Sequence, residues 1–417
     1  MKKVREKAFE VLCAVVINQQ YSNLSLRNQP DSFDSRDQSL INEIVYGTLQ
    51  NYSYLTFQWQ RFVAKKPSEV IGCLLNMSIY QLFFLDKIPD YAILDETIDI
   101  AKKIGRGHES GFCNALLRRV IREGLLNIDT GDAVNDLAVS TSHPLWLVQM
   151  WKAHYGWEIT EQLCHYDNTH QPQALRVNQL KIAKADLLKD ERFSNGRLAD
   201  SAVYYSGNIL STSYFTSGEI LIQDEASQLV SLFCQVEPGQ RILDMCSAPG
   251  TKATHLVELM HDQGEVVALD IHAHRVALIE QLIAKLDLHC IKPQVMDALE
   301  VSAKLENESF DLVLLDAPCS GLGVLRHKPE IKLTVKPETI DQLVRLQSRL
   351  LDQAVRMVKP QGFIVYATCT LDKKENSGQI SQFVQRNKQF RLLEEKTVLP
   401  MDYGCDGFFM AKLQRIE

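Results

Sequence analysis

No run of apolar side chains in the 417 residues approaches the roughly 18 that a membrane-spanning helix needs. A transmembrane protein is therefore not expected. Ten cysteines are present, yet no two stand in a C-x-x-C pair, so the common zinc and thiol–disulfide motifs are missing and no metal is expected. An export signal is missing as well. Lys2, Lys3 and Arg5 precede the apolar residues 11–17, but Glu6 and Glu10 interrupt the pattern and no small-residue cleavage site follows. Ten thiols without export predict residence in the reducing cytoplasm. Excess positive charge is absent too: the formal charge of −7 excludes a protein that coats itself in nucleic acid, while leaving room for local patches. Neither an internal repeat nor a low-complexity segment is visible, and G-x-G-x-x-G is missing, which removes the main support for a nicotinamide dehydrogenase.

What is there fits a multidomain protein, since 417 residues is two to three times the usual size of one domain. Residues 1–140 predict an all-α domain. Val4, Ala8, Val11, Leu12 and Val15 share one helical face, and Leu40, Ile41, Ile44, Val45 and Leu49 repeat the same i, i+3, i+4 pattern. Residues 124–142, bearing Gly and Asp, read as a linker. Residues 141–235 predict a small mixed α/β module, with Pro144 opening a helix and strands at 174–177 and 202–205. Residues 236–417 alternate strand and helix as an open parallel sheet does, with strands at 241–246, 266–270, 310–316 and 363–368 and a long helix at 338–358. Two clusters of cations stand out: Lys102, Lys103, Arg106, Arg118, Arg119 and Arg122, and then Arg326, Lys328, Lys332 and Lys336. Such runs are usually solvated faces, so charge alone does not assign them to phosphate.

Ligands of a doubly wound sheet sit beyond the carboxyl ends of its strands, and here those ends are loaded. The first strand runs into Asp244-Met245-Cys246-Ser247-Ala248-Pro249-Gly250-Thr251-Lys252, a loop of small residues that opens a helix and lets a cofactor approach backbone N–H groups. Asp270 ends the second strand, where a carboxylate can accept both hydroxyls of a ribose. Asp297 follows, where it can meet the amino group of an adenine. Alone, either Asp is as well explained as a helix cap. The fourth and fifth strand ends add Asp316-Ala317-Pro318-Cys319 and Thr368-Cys369.

Two cysteines at adjacent strand ends would share a pocket, and cytosine explains why an enzyme would want them. Carbon 5 of cytosine is a poor nucleophile until a thiolate adds at carbon 6 and turns the ring into an enamine. After transfer, a base must take the proton on carbon 5 and the thiolate must leave. Asp316 is placed to hydrogen-bond the ring edge at nitrogen 3, and Lys252 is a candidate to favour the thiolate, because a free thiol is mostly protonated at neutral pH. The remaining cysteines, Cys13, Cys73 and Cys234 among them, read as packed core residues.

These residues resemble the RNA cytosine-5 methyltransferases of the Sun/Fmu type. Residues 246–252 resemble the family's CAAPGGK, 316–319 its DAPC, Thr368-Cys369 its TC, Glu375-Asn376-Ser377 its ENS and Asp406-Gly407-Phe408-Phe409 its DGFF. Arg36-Asp37, Ile44-Val45-Tyr46-Gly47-Thr48-Leu49 and residues 112–119 resemble a NusB-like RNA-binding domain. The resemblance implies a Rossmann-like SAM-dependent methyltransferase domain, preceded by the NusB-like domain and the mixed module. It makes Cys369 the nucleophile, Cys319 the cysteine for product release, and Cys246, Ser247, Ala248, Pro249, Gly250, Thr251, Lys252, Asp270, Asp297 and Asp316 the contacts to S-adenosyl-L-methionine (SAM). Ser247 and Thr251 depart from the family's Ala and Gly, and a β-branched residue at position 251 would be costly if positive φ were needed there. The NusB-like attachment implies 16S rRNA, free or in an assembling small subunit, as the substrate. A monomer is expected, though no residue reveals the oligomeric state. Two rivals stay open: a tRNA cytosine-5 methyltransferase with the same catalytic residues, and a non-catalytic RNA-binding assembly factor. The two cysteines could also exchange roles, because DNA cytosine-5 methyltransferases attack with their Pro-Cys thiol.

Overall fold

A computed structural model describes residues 2–27, 33–86 and 88–417; Met1, the first residue of the expected amino-terminal helix, lies outside them. The chain forms two compact units, the first comprising the residues up to Thr169 with Leu325–Val335, the second His170–Val324 with Lys336–Glu417.

The first unit is helical among its described residues, as the repeated i, i+3, i+4 pattern predicts. At its centre the helix Glu69–Phe84 is buried on every face between Ile71 and Gln81, so its polar residues must be satisfied internally. The indole of Trp59 donates to Asn76 Oδ1 at 2.8 Å, and buried Arg5 donates to Gln81 Oε1 and, at 2.7 Å, to Glu96. Val4, Ala8, Val11, Leu12, Val15, Ile41, Ile44, Val45 and Leu49 all enter this core, with Cys73 buried inside it and Cys13 packed against it. The expected linker at 124–142 is not bare. It holds the helix Ala133–Ser140, capped by Asp132, whose side chain accepts from Val134 N. Lys332 also corrects an expectation: it is buried, donating to Asn168 Oδ1 at 2.8 Å and Thr141 O at 3.3 Å, and so is not a surface cation awaiting phosphate.

The second unit contains two sheets. The smaller is antiparallel, in the order β2-β3-β1-β4, from Leu175–Val177 (β1), Phe193–Asn195 (β2), Ala202–Tyr205 (β3) and Ile220–Ile222 (β4). The larger has seven strands: Arg241–Asp244 (β5), Glu265–Asp270 (β6), Ile291–Val295 (β7), Phe310–Asp316 (β8), Val358–Thr368 (β9), Phe390–Val398 (β10) and Phe408–Arg415 (β11). Their order is β10-β11-β9-β8-β5-β6-β7. All neighbours are parallel except those of β11, which pairs antiparallel with both β9 and β10. This is the Rossmann-like methyltransferase arrangement that the resemblance implies. Parallel strands are covered on both faces, and β8 shows it: Leu312 and Leu314 enter one core, Phe310, Val313 and Leu315 the other. Strand order reverses between β5 and β8, which makes the crevice beyond their carboxyl ends the place for a ligand.

Candidate functional site

A cavity of about 340 Å³, within the range of small-molecule sites, opens at that reversal. Its lining draws on the ends of four strands: Cys246 and Ala248 after β5, Asp270 and Ile271 at β6, Asp297 and Ala298 after β7, and Asp316 to Pro318 at β8. Thus Cys246, Ala248, Asp270, Asp297 and Asp316, all singled out from the sequence, meet in one place. Ser247, Pro249, Gly250 and Thr251 form the turn behind it and do not line it.

That turn is built for close approach. Gly250 N donates to Ser247 O at 2.7 Å, and Gly250 has φ 98°, with Ile279 only 3.1 Å from where a Cβ would stand. The positive φ falls on Gly250 rather than on Thr251, which opens the helix Thr251–Leu259. The β-branched residue at 251 therefore carries no backbone strain. The helix is held from below by fully buried Arg176 of β1, which donates to Thr251 O at 2.5 Å and to Glu258 at 2.7 Å.

The two readings of the acidic strand ends turn out to be compatible. Asp270 accepts from His272 N, and Asp297 accepts from Leu299 N as the cap of a short helix, each at 2.9 Å, while both still face the cavity. Below them lies a residue the list of sequence candidates missed. Asp244 is buried and its carboxylate oxygens close no well-formed hydrogen bond, although the Ser247 hydroxyl and the Cys246 N–H lie near enough to favour its ionised form. Burial, with help from Asp316, pushes Asp244 up to about 7. Unsatisfied buried acceptors beside a cavity are what a donor-bearing, cationic ligand would complete, and SAM is one. The sequence signal was only its place at a strand end.

Lys252 Nζ donates to Asp316 Oδ2 at 2.6 Å. Burial works to lower the lysine, but Asp316, and with it Cys369, outweighs burial and holds it above the ordinary lysine range. Cys319 and Cys369 lie with their sulfurs 3.3 Å apart, in hydrogen-bonding contact, both half-buried. Its hydrogen bond with Cys369, then burial, then nearby Glu375 push the Cys319 thiol well up. The two segments carrying the thiols are tied by Gly323, whose N–H donates to Cys369 O at 3.0 Å; a Cβ there would fall 2.1 Å from Gly407 O, so only glycine fits.

Sequence reasoning also gave no role to Glu375 and Asn376, which are buried next to these segments. Glu375 accepts from Ser320 N at 3.0 Å and from Gln347 Nε2 at 2.8 Å. Nothing in their composition announces the contact; only the fold brings them there.

Comparison with known proteins agrees with this geometry. Residues 231–414 match the family described as 16S rRNA methyltransferase RsmB/F, 2–122 the NusB family, and 143–191 the ferredoxin-like domain of RsmF/B-like methyltransferases. The chain is 40% identical to a probable ribosomal RNA small subunit methyltransferase B of Bacillus subtilis, over 100% of both chains. It is 33% identical to ribosomal RNA small subunit methyltransferase B of Pseudomonas putida, over 99% of this chain and 98% of the other. Among solved structures, a methyltransferase homologue from Pyrococcus horikoshii is 25% identical with a TM-score of 0.61, covering 69% of this chain and 100% of its own. With full-length relatives at this identity and the strand-end cavity of a SAM-dependent methyltransferase, the chain belongs to the 16S rRNA methyltransferase RsmB/F family.

Proposed function

We propose that the protein methylates carbon 5 of a cytosine in small-subunit rRNA through a covalent adduct to Cys369, with Cys319 serving release. One observation carries this reading: two thiols 3.3 Å apart at the ends of adjacent parallel strands, with Cys369 acting on Lys252 and Lys252 paired to Asp316, which lines the cavity as Cys319, Cys369 and Lys252 do not. A methyltransferase acting on an amino group has no use for such a pair, whereas attack at carbon 6 and elimination from carbon 5 each require a positioned group.

Bound SAM supplies an electrophilic methyl group. The chain's own residues do the rest. Asp270 takes the ribose hydroxyls, Asp297 faces the adenine, and Cys246, Ala248 and the turn behind them shape the floor. The Lys252 cation favours the thiolate of Cys369, which adds to carbon 6 and breaks the 5,6 double bond. Nitrogen 3 takes up a proton from water as the adduct forms, and the resulting N–H donates to Asp316, which Lys252 holds in place. Once carbon 5 carries the methyl group, its proton leaves to a base and the electron pair re-forms the double bond as the Cys369 sulfur departs. Cys319, kept as a neutral thiol by its surroundings, stands beside that departing sulfur.

The test is a denaturing gel of protein incubated with SAM and rRNA. Cys369→Ala should show neither turnover nor adduct, and Cys319→Ala should accumulate a protein–RNA band that survives denaturation. An adduct with Cys369→Ala and none with Cys319→Ala would reverse the roles. Absence of a band in every variant would sink the covalent reading. Running small-subunit rRNA beside tRNA in the same assay checks the substrate, and a preference for tRNA would refute that half.

A further inference from the structure

The Glu375-Asn376 dipeptide has no part in the steps above, yet it bonds both neighbours of Cys369 and one neighbour of Cys319, and reaches the other, Pro318, through Gln347. Glu375 receives three hydrogen bonds: from Ser320 N, from the Ser320 hydroxyl, and from Gln347 Nε2, which also donates to Pro318 O at 2.9 Å. Ser320 and Pro318 flank Cys319. Asn376 binds the other segment. Its Oδ1 accepts from the Thr368 hydroxyl at 2.6 Å and its Nδ2 donates to Thr370 O at 2.9 Å, and these two residues flank Cys369. The halves meet where the Ser320 and Thr370 hydroxyls lie 2.7 Å apart. All of these side chains except Pro318 are buried, whereas the thiols between them are half-exposed. A buried polar network of this kind is satisfied at nearly every member and specifies one arrangement.

We propose that Glu375 and Asn376 are positioning residues with divided duties: Glu375 seats Cys319 for release, and Asn376 seats Cys369 for attack. Under the covalent reading above, on which this division rests, the two neighbours should have opposite effects on the adduct. Loss of the Glu375 side chain displaces Cys319 and leaves attack intact, so adduct accumulates. Loss of the Asn376 side chain displaces the nucleophile, so adduct falls. A merely destabilising change would move both the same way.

The experiment uses the full chain with Glu375→Ala, Glu375→Gln and Asn376→Ala beside Cys319→Ala. Adduct and turnover are measured with SAM and rRNA, SAM affinity by calorimetry, and thiol separation by phenylarsine oxide. That arsenical forms two As–S bonds with a close dithiol and releases water, and it needs no RNA. Both alanine variants should lose turnover on the order of 100-fold, as misplacement by about 1 Å can cost, keep SAM affinity, and bind the arsenical more weakly. Adduct should rise above wild type in Glu375→Ala and fall below it in Asn376→Ala. Glu375→Gln should recover most of the loss, because an amide oxygen can still accept from Ser320 N and Gln347 while its NH2 group donates to the Ser320 hydroxyl. If either alanine variant fails to fold, Asp at that position replaces it: at 375 it withdraws the carboxylate from Ser320, at 376 it removes the donor to Thr370. Adduct moving the same way at both positions, unchanged arsenical binding, or Glu375→Gln as impaired as Glu375→Ala would each overturn the division. No adduct even in Cys319→Ala, with arsenical binding lost in Glu375→Ala and kept in Glu375→Gln, would uphold the seating of the thiols and refute the covalent reading instead.

Discussion

A buried carboxylate short of well-formed hydrogen bonds is costly to keep, and Asp244 is such a residue. Burial and then Asp316 raise it from the ordinary carboxylate range to about 7. The sign of its effect on stability follows from proton counting. Between the unfolded value, near 4, and the folded value the native chain holds a proton that the unfolded chain has lost. Stability from this group is therefore present at low pH and declines as pH rises towards about 7. Binding of the cationic cofactor favours the ionised form and so reverses the preference: SAM affinity should rise with pH through that value. Asp244→Asn mimics the protonated residue. It should weaken SAM binding at pH about 8 by roughly 1 to 3 kcal/mol, flatten the pH dependence, and make the SAM-free protein more stable above neutrality. Calorimetry on either side of neutrality checks this, and an unaltered pH slope in the variant would remove Asp244 from the site.

At the scale of elements, what could be read from the sequence depended on how each element is buried. Strands β8 and β9 are covered on both faces and read as apolar runs, so their loaded ends, Asp316 to Cys319 and Thr368-Cys369, were legible. Strand β10 is an edge whose middle, Arg391 to Lys396, is almost wholly solvent-facing, and β7 is an edge carrying Pro293; neither has the alternation that announces a strand. The helix Ser110–Glu123 lies between these extremes. It buries Cys113, Leu116, Leu117 and Val120, and leaves Arg118, Arg119 and Arg122 on the other side. Arg119 and Arg122 share one carboxylate, Glu123, and Arg119 also lies over the Phe62 ring, so this face keeps more cations than anions. Replacing all three by Gln should weaken rRNA binding at low salt and reduce the slope of log K against log salt by about 2 to 3, with SAM affinity unchanged. Titrations at several salt concentrations decide it, since an unchanged slope would make the face a solvated one.

At the scale of the whole molecule, residues 325–335 are the part that no local pattern foretold. They lie in the chain between β8 and β9 yet fold with the helical unit. Nothing in Leu325-Arg326-His327-Lys328-Pro329-Glu330-Ile331-Lys332-Leu333-Thr334-Val335 says so, because the partners are far away in sequence. Glu330 accepts from Ser22 N and Oγ at 3.2 and 3.0 Å, and Lys332 reaches Asn168 and Thr141. Beside Lys332, Asp167 Oδ2 and His143 Nε2 share a hydrogen bond at 3.1 Å in a site closed to solvent. Burial pushes Asp167 up to about 7 and Lys332 down to about 8, and holds His143 well below its usual range. Two cations, Lys332 first and then Arg326, thus offset a charge on Asp167. Lys332→Met should destabilise the helical unit by about 2 to 4 kcal/mol above pH about 7, because the buried carboxylate loses the first of its two cations and keeps Arg326 alone. Below that pH Asp167 can keep its proton, so the cost should shrink. Adding Asp167→Asn should recover most of the loss, since the carboxylate is then gone as well. All four tryptophans, Trp59, Trp146, Trp151 and Trp157, belong to the helical unit, so intrinsic fluorescence during denaturant unfolding reports on that unit alone. A midpoint that Lys332→Met leaves unmoved, or a double variant less stable than the single, would show that the pair does not hold these residues in place.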